Sequence, residues 1–357
     1  AHLTESRPIF FFFFRGICMS RRICQRGCSL GGYFIANSTL IPWGLKTGNL
    51  TLKPNSLVHS ILYDEDQKKA IGVRVIDSNS KVSQDYFAKV VFVSASTLNT
   101  NLILLNSKSK RFPNGLGNDN GLLGKFIAFH NYRATINAEF EGFPQYTTEG
   151  AKPTSHYIPR FRNVYRQETD FLRGYAAGFG AQPNRETNKE GFGAELSNQL
   201  LSTKETGVWN VNSHMMGETI PKESNLVSLD QEKTDAWGIP LLNIDVDYDD
   251  NDEKMIQDFY EQFSEMYEKS GFVNIKTNDN GRRPGNDIHE MGGVRMGKNP
   301  KTSLLNAWNQ MHECKNVFVT DGACMTSTST QNPSLTFMAI SARAANYAIR
   351  QMKKGLI

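Results

Sequence analysis

The feature that most constrains the fold is an ordered run over residues 57–94, where consecutive strands lead directly into a helix. Leu57 to Tyr63 is closed by the polar turn Asp64-Glu65-Asp66, and Ala70 to Ile76 by Asp77-Ser78-Asn79-Ser80. Asp85-Tyr86-Phe87 continues into Lys89-Val90-Val91-Phe92-Val93-Ser94, an apolar stretch typical of a buried strand. Leu98 to Leu105 then reads as a helix. A hairpin, a buried strand and a helix in this order commonly end a nucleotide-binding layer. Near the other end, Lys315 to Thr320 forms a second short buried strand. Leu335, Met338, Ala339, Ala342, Ala345, Ile349 and Met352 then keep the 3.6-residue period of a helix.

Between these units the character changes. Residues 112–124 are rich in Gly and Asn and read as loop. From 136 to 283 short alternating strands appear, such as Val208 to Val211 and Leu242 to Tyr248, separated by long polar connections. One clear helix runs from Asp252 to Ser270, with Ile256, Phe259, Tyr260, Phe263, Met266 and Tyr267 on its apolar face and Gly271 placed to end it. The expectation is α/β plus α+β: a nucleotide-binding domain, a sheet with helices, and a second domain built on an antiparallel sheet. The boundaries expected are 1–135 for part of the first domain (with 1–23 an anomalous terminus), 136–283 for the second, and 284–357 for the return to the first.

A net charge of +4 with Lys and Arg scattered among nearly as many acids argues against a nucleic-acid surface. Cys18, Cys24 and Cys28, with Cys314 and Cys324 far away, fit no standard zinc spacing, so no metal site is expected and buried free thiols are. The six apolar residues Ile9 to Phe14 cannot cross a hydrocarbon layer of ~30 Å and are slightly short for a signal-peptide core. No membrane span is expected, residues 1–23 read as a truncated or damaged terminus, and localisation stays open.

Two segments could carry chemistry. In Asp287 to Gly297, His289 lies beside Gly292, Gly293 and Gly297, which permit close backbone approach. A lone His is commonly a hydrogen-bonded structural residue, and the segment by itself does not choose between that and a base. In the second, the strand Val317 to Thr320 ends in Asp321-Gly322, at the strand edge where α/β sheets bind ligands, and Asn332-Pro333 opens the following helix. Spacing alone leaves room for Asn332 or Ser334 to be a helix cap and for Asp321 to tie a turn.

Taken in order, His289-x-x-Gly292, Arg295-Met296-Gly297, the strand with Asp321-Gly322 and Asn332-Pro333-x-x-Thr336 resemble the C-terminal signature of the glucose–methanol–choline (GMC) oxidoreductases, especially the bacterial sugar dehydrogenase and pyranose oxidase branch. Cys28-Ser29-Leu30-Gly31-Gly32, Lys46 to Leu50 and Phe112 to Gly117 resemble that branch too, so the likeness covers about residues 24–357. The resemblance implies an FAD cofactor, with His289 as the active-site histidine and Asn332 as its partner. It places Asp321 and Gly322 along the ribityl and diphosphate part of FAD, and Pro333 and Thr336 at the helix start that meets the flavin pyrimidine. Val58 falls on the strand that meets the adenine, and Ala95 near the ADP half. The family's opening strand–G-x-G-x-x-G–helix does not occur in this sequence, and the expectation is an N-terminally truncated chain.

The reaction implied is oxidation of an alcohol, on a sugar or sugar-like small molecule. His289 takes the hydroxyl proton, Asn332 donates to the developing alkoxide, and hydride passes to the flavin. The electron acceptor is oxygen or a redox partner. The alternatives are a non-catalytic remnant or half-protein, and a sugar-binding module on residues 136–283.

Overall fold

A computed structural model describes residues 16–19, 24, 27–142, 156–183, 191–202, 208–285 and 288–357. The phenylalanine run and Asp287 lie outside the described residues. After a short helix, α1 (Leu40–Lys46), strands β1 (Ser56–Asp64), β2 (Lys69–Asp77) and β3 (Ser83–Phe87) form an antiparallel meander. β3 does not continue into the next strand, contrary to the run read across residues 85–94. The chain leaves the sheet after Ala88, whose N–H still donates to the Ile71 carbonyl, and β4 (Val91–Val93) pairs elsewhere, with Val91 and Val93 buried and Phe92 exposed. Helix α2 (Thr97–Asn106) follows, burying Ile103, Leu104 and Leu105.

The antiparallel sheet starts earlier than residue 136. It opens with β5 (His130–Asn131) and β6 (Ala134–Phe140) and continues with β7 (His156–Ile158) and β8 (Tyr175–Pro183). After α3 (Ala194–Ser202) comes its central strand, β9 (Trp209–Glu218). A two-stranded ribbon, β10 (Leu226–Thr234) and β11 (Pro240–Asp245), leads to α4 (Asp250–Lys269), and β12 (Val273–Asp279) closes the six-stranded sheet beside β6.

The predicted apolar stripe of α4 is the face that meets this sheet. Ile256, Phe259, Phe263 and Tyr267 are buried together with Met255, against Ile136, Ala138, Val211 and Met215. Its start is a capping box between Asp249 and Asp252, and its end is Gly271, whose φ of 79° is the left-handed conformation that glycine reaches without strain. On β9 the alternation sends Val211, Ser213 and Met215 into that core and His214, Asn212 and Asn210 to the opposite face.

The last strand, β13 (Val317–Val319), runs parallel to β4, and α5 (Ser334–Lys353) completes the chain's elements. Asn316 clamps this pair to the meander, its side chain accepting from the Ala70 N–H at 3.1 Å and donating to the carbonyls of Ala70 and Lys89 at 2.6 and 2.9 Å. Among the described residues β4 has no strand partner but β13. The apolar stripe of α5 is largely exposed, with Leu335 at 78% and Ile349 at 50%, and only Ala344 and Ala348 are buried. No described helix is long and apolar enough to cross a membrane.

Candidate active site

The carboxyl ends of β4 and β13 stand side by side, joined by the Ser94 and Thr320 hydroxyls at 2.8 Å. Beyond them, two residues picked from the sequence meet through a third. The Thr100 hydroxyl accepts from the Ala95 N–H at 3.1 Å and donates to the Asp321 carboxylate. Asp321 also accepts from the Ala323 N–H at 2.9 Å, so it does tie a turn, as one sequence reading held. Burial pushes its carboxyl above the usual range, against the pull of these hydrogen bonds. Ser96, at the start of α2, is exposed, has a φ of 73° and makes no side-chain cap.

The His289 segment lies across this floor like an added strand. Gly292, Val294 and Met296 donate to the carbonyls of Gly322, Ala323 and Cys324, each at 3.0 Å. On its other side Met291 and Ala128 exchange both backbone bonds, at 2.7 and 2.8 Å. Gly322 is glycine because there is no room for more: a Cβ would stand 2.4 Å from the Thr97 hydroxyl and 2.6 Å from the Glu290 carbonyl. These contacts hold His289 at a φ of 69°, a left-handed conformation that costs a non-glycine residue about 1–3 kcal/mol and that surrounding structure must impose.

The imidazole of His289 is half-buried and faces a second histidine that the sequence did not single out. Nδ1 of His289 lies 2.9 Å from Nδ1 of His130, the rings nearly perpendicular at 85°. Nε2 of His130 lies 3.0 Å from the Ser329 carbonyl. Burial, with the neighbouring imidazole, lowers His130 to about 4; burial also lowers His289. His130 is paired with Glu218 across β5 and β9, so it shares the sheet face of His214, Asn212 and Asn210. That face carries a groove of about 770 Å³ lined by Asn137, Asn210, Asn212, His214, Gln182 and Lys276. A smaller cavity of about 500 Å³ reaches Glu290, between Leu98, Phe129 and Val246.

The remaining candidates take no part in these contacts. Asn332 is exposed in the loop that supplies the Ser329 carbonyl, and no hydrogen bond joins its side chain to His289. Neither Asn332 nor Ser334 caps α5, whose N-cap is the buried Pro333; Thr336 is exposed in the first turn. Val58 is 37% exposed on β1. His130 gave no sequence signal, because a single His after the apolar run Ile127-Ala128-Phe129 looks like any strand end.

Two models of one family, GMC oxidoreductase, match the chain, an N-terminal one over residues 16–130 and a C-terminal one over 221–341. The 2-methyl-1,2-propanediol dehydrogenase of Mycolicibacterium austroafricanum is 32% identical over 302 residues, 79% of this chain and 52% of that protein. The fructose dehydrogenase large subunit of Gluconobacter japonicus is 26% identical over 93% of this chain and 59% of its own length. The chain thus spans little more than half the length of these relatives. Among solved structures, formate oxidase of Aspergillus oryzae, studied for its FAD modification, superposes with a TM-score of 0.58 at 13% identity. The match covers 87% of this chain and 63% of that one.

Proposed function

The chain belongs to the GMC oxidoreductase family, and from that premise we propose that it serves the FAD-dependent oxidation of an alcohol group on a sugar or sugar-like molecule, with His289 as the base. The observation that carries this reading is the His289–His130 contact at 2.9 Å, which sets a half-buried imidazole of lowered proton affinity at the junction of the two sheets. A base that is neutral near pH 7 is free to accept a proton.

The residues at the strand ends fit half of the cofactor. Two parallel strands end together, Asp321 follows one of them, and the α2 N-terminus beyond the other has no side-chain cap. Asp321, Gly322 and Ala95 would hold the ribityl and diphosphate side, Val58 the adenine side, and Pro333 and Thr336 the pyrimidine end. FAD, when bound, supplies the hydride acceptor. His289 takes the hydroxyl proton, and Asn332 donates to the oxygen that is losing it. The groove beside His214, rich in amides, suits a polyhydroxylated substrate.

A second reading, in which catalysis needs a further polypeptide segment beside β4, is favoured by that strand's having one strand partner among the described residues and by the exposed apolar stripe of α5. Adding FAD to the purified chain separates the two. Bound flavin that sugars or diols reduce, and that they do not reduce in His289→Ala, supports the first reading. Absence of flavin binding supports the second.

A further inference from the structure

We infer that His130 is a positioning residue that keeps the proton of His289 on Nδ1 and leaves Nε2 of His289 as the nitrogen that accepts the substrate proton. The inference rests on the reading of His289 as the base and deepens it.

The carbonyl oxygen of Ser329 can only accept, so the His130 Nε2 that stands 3.0 Å from it carries a hydrogen. In a neutral imidazole the other nitrogen is then bare. That bare Nδ1 lies 2.9 Å from Nδ1 of His289, and two bare nitrogens cannot share a hydrogen bond, so Nδ1 of His289 donates. A neutral His289 is left with its lone pair on Nε2. The opposite assignment needs a His130 protonated on both nitrogens. His130 is only 1% exposed and its nearest ionisable neighbour is another imidazole, so burial strongly disfavours that charge.

Both ends of the relay are anchored. Ser327, two residues before Ser329, donates to the buried Glu218 carboxylate, whose oxygens also face Arg160 and Arg173 at 3.6 and 3.7 Å. Glu218 pairs with His130 across the sheet, so one acid holds both the loop that offers the carbonyl and the strand that offers the imidazole. Ser329 itself has a φ of 57°. On the other side, the Thr97 hydroxyl donates to the Glu290 carbonyl, and Met291 is doubly bonded to Ala128.

The proton balance follows. When Nε2 of His289 takes the hydroxyl proton, the ring becomes imidazolium and its Nδ1–H still donates to His130. The proton does not pass inward: burial disfavours a charge on His130, and the far nitrogen of His130 already carries hydrogen and faces a carbonyl that only accepts. It leaves by the route it entered, through Nε2.

The test is the tautomer itself, read in the full chain without flavin from long-range ¹H–¹⁵N spectra of ¹⁵N-histidine protein, with His289 assigned by its loss in His289→Ala. The expected result is His289 protonated on Nδ1 in the wild type. His130→Gln should keep it so, since an amide can accept from His289 and donate to Ser329. His130→Leu should shift it to a mixture rich in the Nε2–H form. A wild-type His289 protonated on Nε2 overturns the inference even if no variant folds, and so does an unchanged tautomer in a folded His130→Leu. Undiminished flavin reduction in His289→Ala would instead remove the catalytic reading and leave the tautomer result standing.

Discussion

The Nδ1 atoms of His130 and His289 meet at 2.9 Å although 159 residues separate them in the chain. One belongs to the first short strand of the antiparallel sheet, the other to a segment stitched onto the end of the parallel pair. Their contact joins the antiparallel sheet to the segment that lies along the parallel pair.

On the proposed role of His289, its loss should act on chemistry more than on binding. His289→Ala is expected to slow flavin reduction by substrate about 10²- to 10⁴-fold while FAD is retained. Asn332→Ala should slow it less, because it removes one donor and no proton acceptor. Stopped-flow reduction of the flavin-loaded protein measures both, and full-speed reduction in His289→Ala ends the general-base assignment.

Asp321 should behave in the opposite way. Asp321→Ala removes a buried carboxylate that accepts from Thr100 and Ala323. It is expected to weaken FAD retention about 10- to 100-fold, with reduction of the remaining bound flavin little changed. Thr100→Val, which leaves the Ala95 N–H and the carboxylate without that hydroxyl, should cost about 1–3 kcal/mol in urea unfolding. An Asp321→Ala protein that holds FAD normally would refute the cofactor role.

Two buried groups should push stability in opposite directions with pH. His130 titrates at about 4 when folded against 6.5 ordinarily, so the unfolded chain binds the proton first and stability from this group falls as pH drops from 6.5 to 4. Asp252, raised by burial to about 7 from 3.8, has one oxygen without a partner; it stabilises when protonated and loses that contribution as pH rises from 3.8 to 7. In the shared window each slope approaches about 1.4 kcal/mol per pH unit and the two oppose. His130→Gln should therefore lose stability as pH rises through this window, and Asp252→Asn should gain it. Unfolding midpoints across the range decide, and parallel profiles for the two variants would contradict the assignment.

Gly322→Ala is expected to cost about 1–3 kcal/mol by overpacking, since the Cβ meets a backbone carbonyl at 2.6 Å. That carbonyl belongs to Glu290, so the same variant should disturb the neighbouring His289 imidazole. A variant with wild-type stability and an unshifted His289 ¹⁵N spectrum would show that the loop has slack.

The exposed stripe of α5 should limit solubility of the chain on its own. Leu335→Glu and Ile349→Lys are expected to raise the soluble yield and reduce light scattering on heating, leaving the melting temperature within a few degrees. If neither changes aggregation, the stripe is not the surface responsible.

Much of this was legible in the sequence because it follows from period and order. The α4 stripe, the short strand before Asp321 and the helix after Pro333 are local patterns, and all three appear close to where they were read. The period of α5 was read correctly, but period gives a face without saying what covers it. The run over residues 85–94 misled because apolar continuity does not reveal where a strand changes sheet. His130 stayed hidden for a related reason. Its importance comes from His289, Ser329 and Glu218, three partners far away in the chain, and no local pattern encodes such a meeting. Thr100 was likewise an ordinary helix residue until the fold set it between Ala95 and Asp321.

The hydroxyls of Ser94 and Thr320 that join the strand ends are 226 residues apart in sequence, and Ala70 and Asn316 are 246 apart. The six-stranded sheet and α4 lie wholly between those positions, within residues 130–279. On a ribosome, that sheet can therefore close while β4 still waits for β13 to be made. Joining ends so distant adds little free energy, because loop closure grows only logarithmically with length, but it is slow. A nascent chain halted after β12 would carry a finished antiparallel sheet with His130 already on its strand, and neither His289 nor the surface on which the His289 segment comes to rest.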